Sequence, residues 1–132
     1  MTDTVLWSAR VDPPHCGHIK TLLDLGTRFK KVVVVILDHP EQRFPAQYRA
    51  QILKDILCHF GNQYDVRVNS DHFAEIDKAK LVQYEPFTYA SGNMECLKHM
   101  EELGYPIIYV DRAYDYEASE DRKLRAIKDA MK

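Results

Sequence analysis

Apolar residues fall along this chain in two alternating patterns. Short continuous runs occur at Val5-Leu6-Trp7, Val32 to Leu37, Val66 with Val68, Phe87 to Ala90, and Ile107 to Val110. The Val32 to Leu37 run is unbroken and β-branched. Such a run predicts a strand buried on both faces, as in a parallel sheet. Between the runs the apolar residues recur at helical spacing: Ile19, Leu22 and Leu23; then Ile52, Leu53, Ile56, Leu57 and Phe60; then Met94, Leu97, Met100 and Leu103; and last Leu124, Ile127 and Met131. Each set predicts an amphipathic helix. Gly104 lies where a helix C-terminus favours glycine. Ser119 suits the N-cap of the last helix. Residues 71 to 83 read as a further, weakly patterned helix.

Strands alternating with helices imply right-handed βαβ units and an α/β fold: one doubly wound, five-stranded parallel sheet of Rossmann-like type. No internal repeat, low-complexity tract or linker divides residues 1 to 132, so a single domain is expected. In such sheets ligands bind beyond the carboxyl ends of the strands, at the point where strand order reverses. The loops 8 to 18, 38 to 49, 90 to 94 and 111 to 122 fall at that edge.

Composition narrows the function without naming it. The 132 residues are 45% hydrophobic and 29% charged, as in an ordinary globular protein. Eighteen Lys and Arg against 20 Asp and Glu leave a formal charge of -2, which argues against general nucleic-acid binding but leaves room for a local basic pocket. No apolar run is long enough for a membrane span, and the N-terminus lacks a signal-peptide pattern. Cys16, Cys58 and Cys96 are odd in number and far apart. They read as free thiols in a reducing compartment, so the cytoplasm is the expected location. No CxxC pair supports a structural zinc, and no protein-held metal is expected.

The densest chemistry lies in His15-Cys16-Gly17-His18, between the first strand and the first helix. A helix N-terminus presents unpaired N–H groups that favour anions. Gly17 removes a side chain where a phosphate must approach closely. Two imidazoles can donate to phosphate oxygens and stabilise charge that builds as an α-phosphate is attacked. No residue in the loop looks like a covalent nucleophile with its own base. Direct in-line attack by an acceptor's phosphate is the simplest chemistry, with Mg²⁺ carried on a nucleoside triphosphate. The bland alternatives are ordinary loop histidines or two metal ligands.

The stretch Arg10-Val11-Asp12-Pro13-Pro14-His15-Cys16-Gly17-His18 resembles the HxGH signature of the nucleotidyltransferase superfamily. Within it, Ala9 to Pro13, Phe44 to Arg49 and Tyr116 to Arg122 are similar to segments of archaeal-type nicotinamide mononucleotide adenylyltransferases. The resemblance implies catalytic roles for His15 and His18. It implies nucleotide contacts from Arg10, Asp12, Gly17, Arg43, Gly92, Asn93, Ser119 and Arg122. Read from the residues alone, Asn93 is equally a helix cap, Arg43 an exposed loop residue, and Arg122 part of a solvated helix face. Arg49 either binds ligand or anchors its loop to the second helix.

The resemblance implies transfer of a nucleoside monophosphate to a phosphorylated small molecule with release of pyrophosphate. ATP and nicotinamide mononucleotide are the leading pair, and a homodimer is a further expectation of the resemblance. The chain departs from the pattern at Ala9, Glu117 and Ala118, and its length is nearer that of glycerol-phosphate cytidylyltransferases. A cytidylyltransferase acting on a phosphorylated alcohol therefore stays open, as does a nucleotide-binding module without catalysis. His39 follows the second strand and reads as a solvent-exposed loop histidine, with approach to the site as the alternative. His59, His72 and His99 fall in or at the start of expected helices, with no metal-ligand spacing. Trp7 reads as core.

Overall fold

Five consecutive residues of the second apolar run, Val32 to Ile36, are buried, and they divide between two cores. Val32, Val34 and Ile36 face one side of the sheet, and Val33 and Val35 face the other. This is the alternation of side chains along a strand, applied to a strand covered on both faces. The computed structural model describes residues 2–12 and 14–110.

Among the described residues the strands are β1 (Thr4–Ala9), β2 (Lys31–Leu37), β3 (Tyr64–Asn69), β4 (Thr88–Ser91) and β5 (Ile107–Tyr109). The helices are α1 (Cys16–Arg28), α2 (Ala46–Leu57) and α3 (Met94–Glu102). The sheet runs in the order β3-β2-β1-β4-β5, and every pairing is parallel. The doubly wound α/β fold expected from the alternation is the fold observed. The chain winds outward from β1 to β3, then returns to the other side of β1 for β4. The order therefore reverses between β1 and β4, and that is where a ligand crevice belongs.

The two helices on one face and the one on the other supply the cores. Leu22 and Leu25 of α1 and Ala50, Leu53 and Leu57 of α2 pack with Val5, Trp7 and Val66. Cys96, Leu97 and Met100 of α3 pack with Leu6, Phe87 and Tyr89 on the opposite face. No helix among the described residues is long and apolar enough to cross a membrane.

Two expectations are corrected. Residues 71 to 83 do not form an α-helix; they run through a turn into short 3-10 helices at Lys78–Lys80 and Val82–Tyr84. Polar side chains take the amide hydrogens that a helix would use internally. Asn69 Oδ1 accepts from Asp71 N, His72 Nδ1 from Ala74 N, and Asp77 Oδ1 from Ala79 N. Such local bonds divert the backbone from α-helix. Phe73, Ile76 and Leu81 are still buried, because this crossover covers the sheet beside α3. Phe60 lies beyond α2 in a 3-10 turn and is 52% exposed. The helix expected from Ser119 onward lies outside the described residues.

Gly26 marks a close contact between α1 and the start of β3. A Cβ placed there would lie 2.2 Å from Tyr64 Oη and 2.8 Å from Gln63 Nε2. Both groups already bond the helix: Tyr64 Oη donates to Leu22 O at 3.0 Å and Gln63 Nε2 to Gly26 O at 2.9 Å. Gly26→Ala should therefore cost about 1–3 kcal/mol despite alanine's better helix propensity. Denaturant unfolding reads the change, and a variant at least as stable as wild type would contradict the packing described.

Candidate functional site

The C-terminal ends of four strands open into one cavity of about 550 Å³. Ala9 ends β1, Leu37 ends β2, Asn69 ends β3 and Ser91 ends β4, and all four line it. The volume lies within the range typical of small-molecule sites. Of the four loops expected at this edge, three contribute. Arg10, Asp12, His15 and His18 come from the first, His39, Glu41 and Arg43 from the second, and Gly92 and Asn93 from the third. The fourth, with Ser119 and Arg122, lies outside the described residues. The structure adds a contributor absent from that list: the segment after β3, with Asp71, His72 and Phe73. The expected helix over 71 to 83 hid it, since a helix there would begin beyond the strand rather than fold over its end.

His15 and His18 meet at the start of α1. Their ring centroids stand 3.7 Å apart, with 27° between the planes. The pairing is built by the backbone. His15 is the N-cap of α1, and its Nδ1 accepts from Gly17 N at 3.0 Å; His15 N in turn donates to His18 Nδ1 at 3.2 Å. This is a capping box made by two histidines. Because each Nδ1 is an acceptor here, each neutral ring carries its proton on Nε2. The site thus presents two stacked imidazoles in donor tautomers. Trp7 meets the His18 ring edge-on at 6.1 Å and backs it from the core. Gly17 is buried between them at the second helical position. The cap was not read from the sequence, since histidine is not a usual N-cap residue. Its signal is the spacing of three between the two rings.

The loop leading into this helix is held by a buried arginine. Arg49 is 0% exposed. Its Nε donates to Phe44 O at 2.9 Å, Nη1 to Arg10 O, and Nη2 to Leu37 O at 3.1 Å and to Gln42 Oε1. The same guanidinium lies 3.9 Å from Asp12 Oδ1. Asp12 completes the knot by accepting from Arg43 N at 2.6 Å and Phe44 N at 3.1 Å. Of the two expectations for Arg49, the anchor is the one observed. Asp12 reaches the cavity wall, but both its oxygens serve the second loop. Val11, between Arg10 and Asp12, adopts φ +45°, which is uncommon for any residue with a Cβ and strained for a β-branched one. Its side chain is buried in the core.

Burial pushes the Asp12 carboxyl up, but the Arg43 and Phe44 N–H groups and the charges of Arg49 and His39 outweigh burial and hold it below the usual carboxylate range. At the other end of the cavity, Asn93 Oδ1 accepts from Glu95 N at 2.9 Å and Cys96 N at 3.3 Å. Asn93 is the N-cap of α3, and its own N–H donates to Ser91 Oγ at 3.0 Å. Gly92 sits between these two anchors on the cavity wall. Arg10 and Arg43 are exposed at the rim. His39, expected to be an exposed loop residue, is instead half-buried in the wall. His99 is engaged elsewhere, its Nε2 2.7 Å from Ile76 O. Among the described residues no three His, Cys, Asp or Glu side chains converge as a metal cradle.

No family model and no curated protein matches this chain. Solved structures do share its fold. One is NadR in complex with NAD and AMP-PNP, at 14% identity and a TM-score of 0.71, covering 93% of this chain and 42% of that one. Another is a bifunctional NMN adenylyltransferase/ADP ribose pyrophosphatase from Francisella tularensis, complexed with AMP and a Mn ion, at 19% identity and a TM-score of 0.65, covering 84% of this chain and 37% of that one. A third is a lipopolysaccharide core biosynthesis protein from Thermoplasma volcanium, at 17% identity and a TM-score of 0.58, covering 82% of this chain and 95% of that one. The chain spans about two fifths of the length of the first two. At these identities the likeness is one of fold.

The Arg49–Asp12 knot makes two predictions. Arg49→Ala should cost about 3–5 kcal/mol, because it leaves three backbone carbonyls and a carboxylate without their buried partner. Arg49→Lys should recover little, since one ammonium cannot reproduce the fork. Thermal or denaturant unfolding measures both. Because the Asp12 pKa is lowered by folding, its contribution is full above about pH 4, the ordinary carboxylate value, and is lost as pH falls through the lower folded value. Asp12→Asn should remove that component of acid destabilisation. An unchanged pH–stability profile between pH 2 and pH 5, as an order-of-magnitude window, would count against the knot.

Proposed function

We propose that this chain is a nucleotidyltransferase domain. It joins a nucleoside monophosphate, taken from a nucleoside triphosphate, to a phosphorylated small molecule and releases pyrophosphate. The observation that carries the reading is the stacked His15–His18 pair, in donor tautomers, at a helix start inside the switch-point cavity. The fold shared with the NMN adenylyltransferase from Francisella and with NadR supports it.

In this reading the triphosphate enters as its magnesium complex and lies over the end of β1, against the first turn of α1. Amide hydrogens of that turn and the two Nε2–H groups donate to its oxygens. Arg10 and Arg43 at the rim attract the polyanion. The nucleoside extends toward β4, where Gly92 lets the backbone approach the base. An oxygen of the acceptor's phosphate attacks the α-phosphorus. The bond from that phosphorus to the bridging oxygen breaks, and pyrophosphate leaves with the electron pair. His15 and His18 stabilise the charge as it moves onto the bridging and equatorial oxygens. Asp12 acts through Arg43 and Phe44 as a positioning residue. Ser119 and Arg122, outside the described residues, would complete the grip on the triphosphate. The leading pair of substrates is ATP with nicotinamide mononucleotide, giving a dinucleotide. The second reading is CTP with a phosphorylated alcohol.

Pyrophosphate release across pairs of triphosphate and acceptor tests the reading. His18→Ala should lower kcat by about a hundred- to a thousandfold, because it removes a donor to the transition state, and should lower the thermal midpoint by several degrees while the chain still folds, because it removes the acceptor for His15 N in the capping box. Turnover near the wild-type rate in that variant would refute the role given to the histidine pair.

A further inference from the structure

Strand β3 ends one side of the sheet, and among the described residues no strand lies beyond it. The pairing with β2 determines which of its backbone groups point outward. Val32 N donates to Gln63 O and Asp38 N to Asn69 O, each at 2.9 Å. The register sets Val32 beside Tyr64, Val34 beside Val66 and Ile36 beside Val68. In a parallel ladder of that register the odd-numbered residues of the strand bond to β2, while Tyr64, Val66 and Val68 turn both backbone groups away from the sheet. Proteins usually blunt such an edge with proline, lysine or a bulge. Tyr64–Asn69 contains neither residue, and its register with β2 runs unbroken along all 6 residues.

The side chains select what can pair there. Tyr64, Val66 and Val68 belong to the core face that α2 covers. Asp65 and Arg67 lie on the other face by strand alternation. There Arg67 Nε and Nη2 both stand 3.0 Å from Asp65 Oδ2. Consider a second β3 laid antiparallel on this edge, about a two-fold axis through Val66. Asp65 then faces the partner's Arg67, and Arg67 faces the partner's Asp65. These are the positions without hydrogen bonds, where facing side chains come closest. Val66 meets the partner's Val66 and Tyr64 meets the partner's Val68 as hydrogen-bonded pairs, so the outward N–H and C=O groups are satisfied. An axis through Asp65 or Arg67 would set like charges opposite each other instead. On the core face a cleft of about 380 Å³ has Leu57, Tyr64 and Val66 in its lining, and the partner's Val68, opposite Tyr64, meets it. We infer that two copies of this chain join through β3 into one continuous sheet, with Val66 on the two-fold axis. Because the joined strands run antiparallel, the two ligand cavities open at opposite edges of that sheet.

Sedimentation velocity of the full chain over about 1–100 µM tests this, since so short an interface should form a dimer that dissociates on dilution. Asp65→Arg and Arg67→Asp each set like charges opposite one another, and each should weaken self-association by about ten- to a hundredfold. The two variants mixed should form a heterodimer, and both substitutions in one chain should restore the homodimer. Amide hydrogen exchange reads the same edge in the wild type. Protection of the Tyr64, Val66 and Val68 N–H groups should rise with protein concentration. A dimer that survives both single variants, or no rescue on mixing and in the double variant, would overturn the proposal. So would a wild type that is monomeric throughout, which leaves the edge to a different partner. Protection of the three amides that ignores concentration would overturn it too, since the chain itself would then cover the edge.

Discussion

The geometry of the cavity depends on one guanidinium. Arg49 is rooted in the first turns of α2, yet its donors end on backbone oxygens of Leu37, Arg10 and Phe44. Those three carbonyls belong to the end of β2, the loop after β1 and the loop before α2. A buried cation is costly unless each donor finds an acceptor and a counter-charge stands near. Asp12 supplies the charge and, through Arg43 and Phe44, returns two more bonds to the same loop. The result is a hydrogen-bonded joint between the two loops. It also explains how Val11 is held at positive φ, since its neighbours on both sides are fixed.

On that joint the histidine pair gains its orientation. Imidazoles on a free loop would sample many directions and face solvent. Here the capping box sets both rings through their Nδ1 atoms, and Trp7 supports one of them from the core. The bonds that start the helix are the same bonds that determine which nitrogen of each ring carries hydrogen. The same bonds that cap the helix therefore fix both rings in place.

The cavity is polarised along the sheet edge. Donors gather at β1 and α1, and the β4 end closes on backbone and capped side chains around Gly92. The β2 and β3 end carries His39, Asn69, Asp71 and His72. Lys80 neutralises Asp71 at 2.8 Å, so that end is less acidic than its composition suggests. This ordering of chemistry follows directly from the strand order, because each loop inherits its place from the strand it leaves.

By itself the sequence determined the alternation of strands and helices, the parallel sheet, and the histidine motif at a strand-to-helix junction. These are legible because burial on both faces and helical periodicity are local patterns, and because Val32 to Ile36 and Leu22 with Leu25 repeat at the right intervals. Only the tertiary structure decided that Arg49 is an anchor, that His39 is half-buried in the cavity wall, and that the segment after β3 walls the cavity. Each of those facts depends on partners 5 to 39 residues away in the chain or on neighbouring strands. The missed turn at residues 71 to 83 has the same origin in reverse. Its apolar residues suggested a helix, but short polar side chains beside them captured the backbone amides first. Periodicity records which residues are buried, and it is silent on where a polar side chain finds its partner.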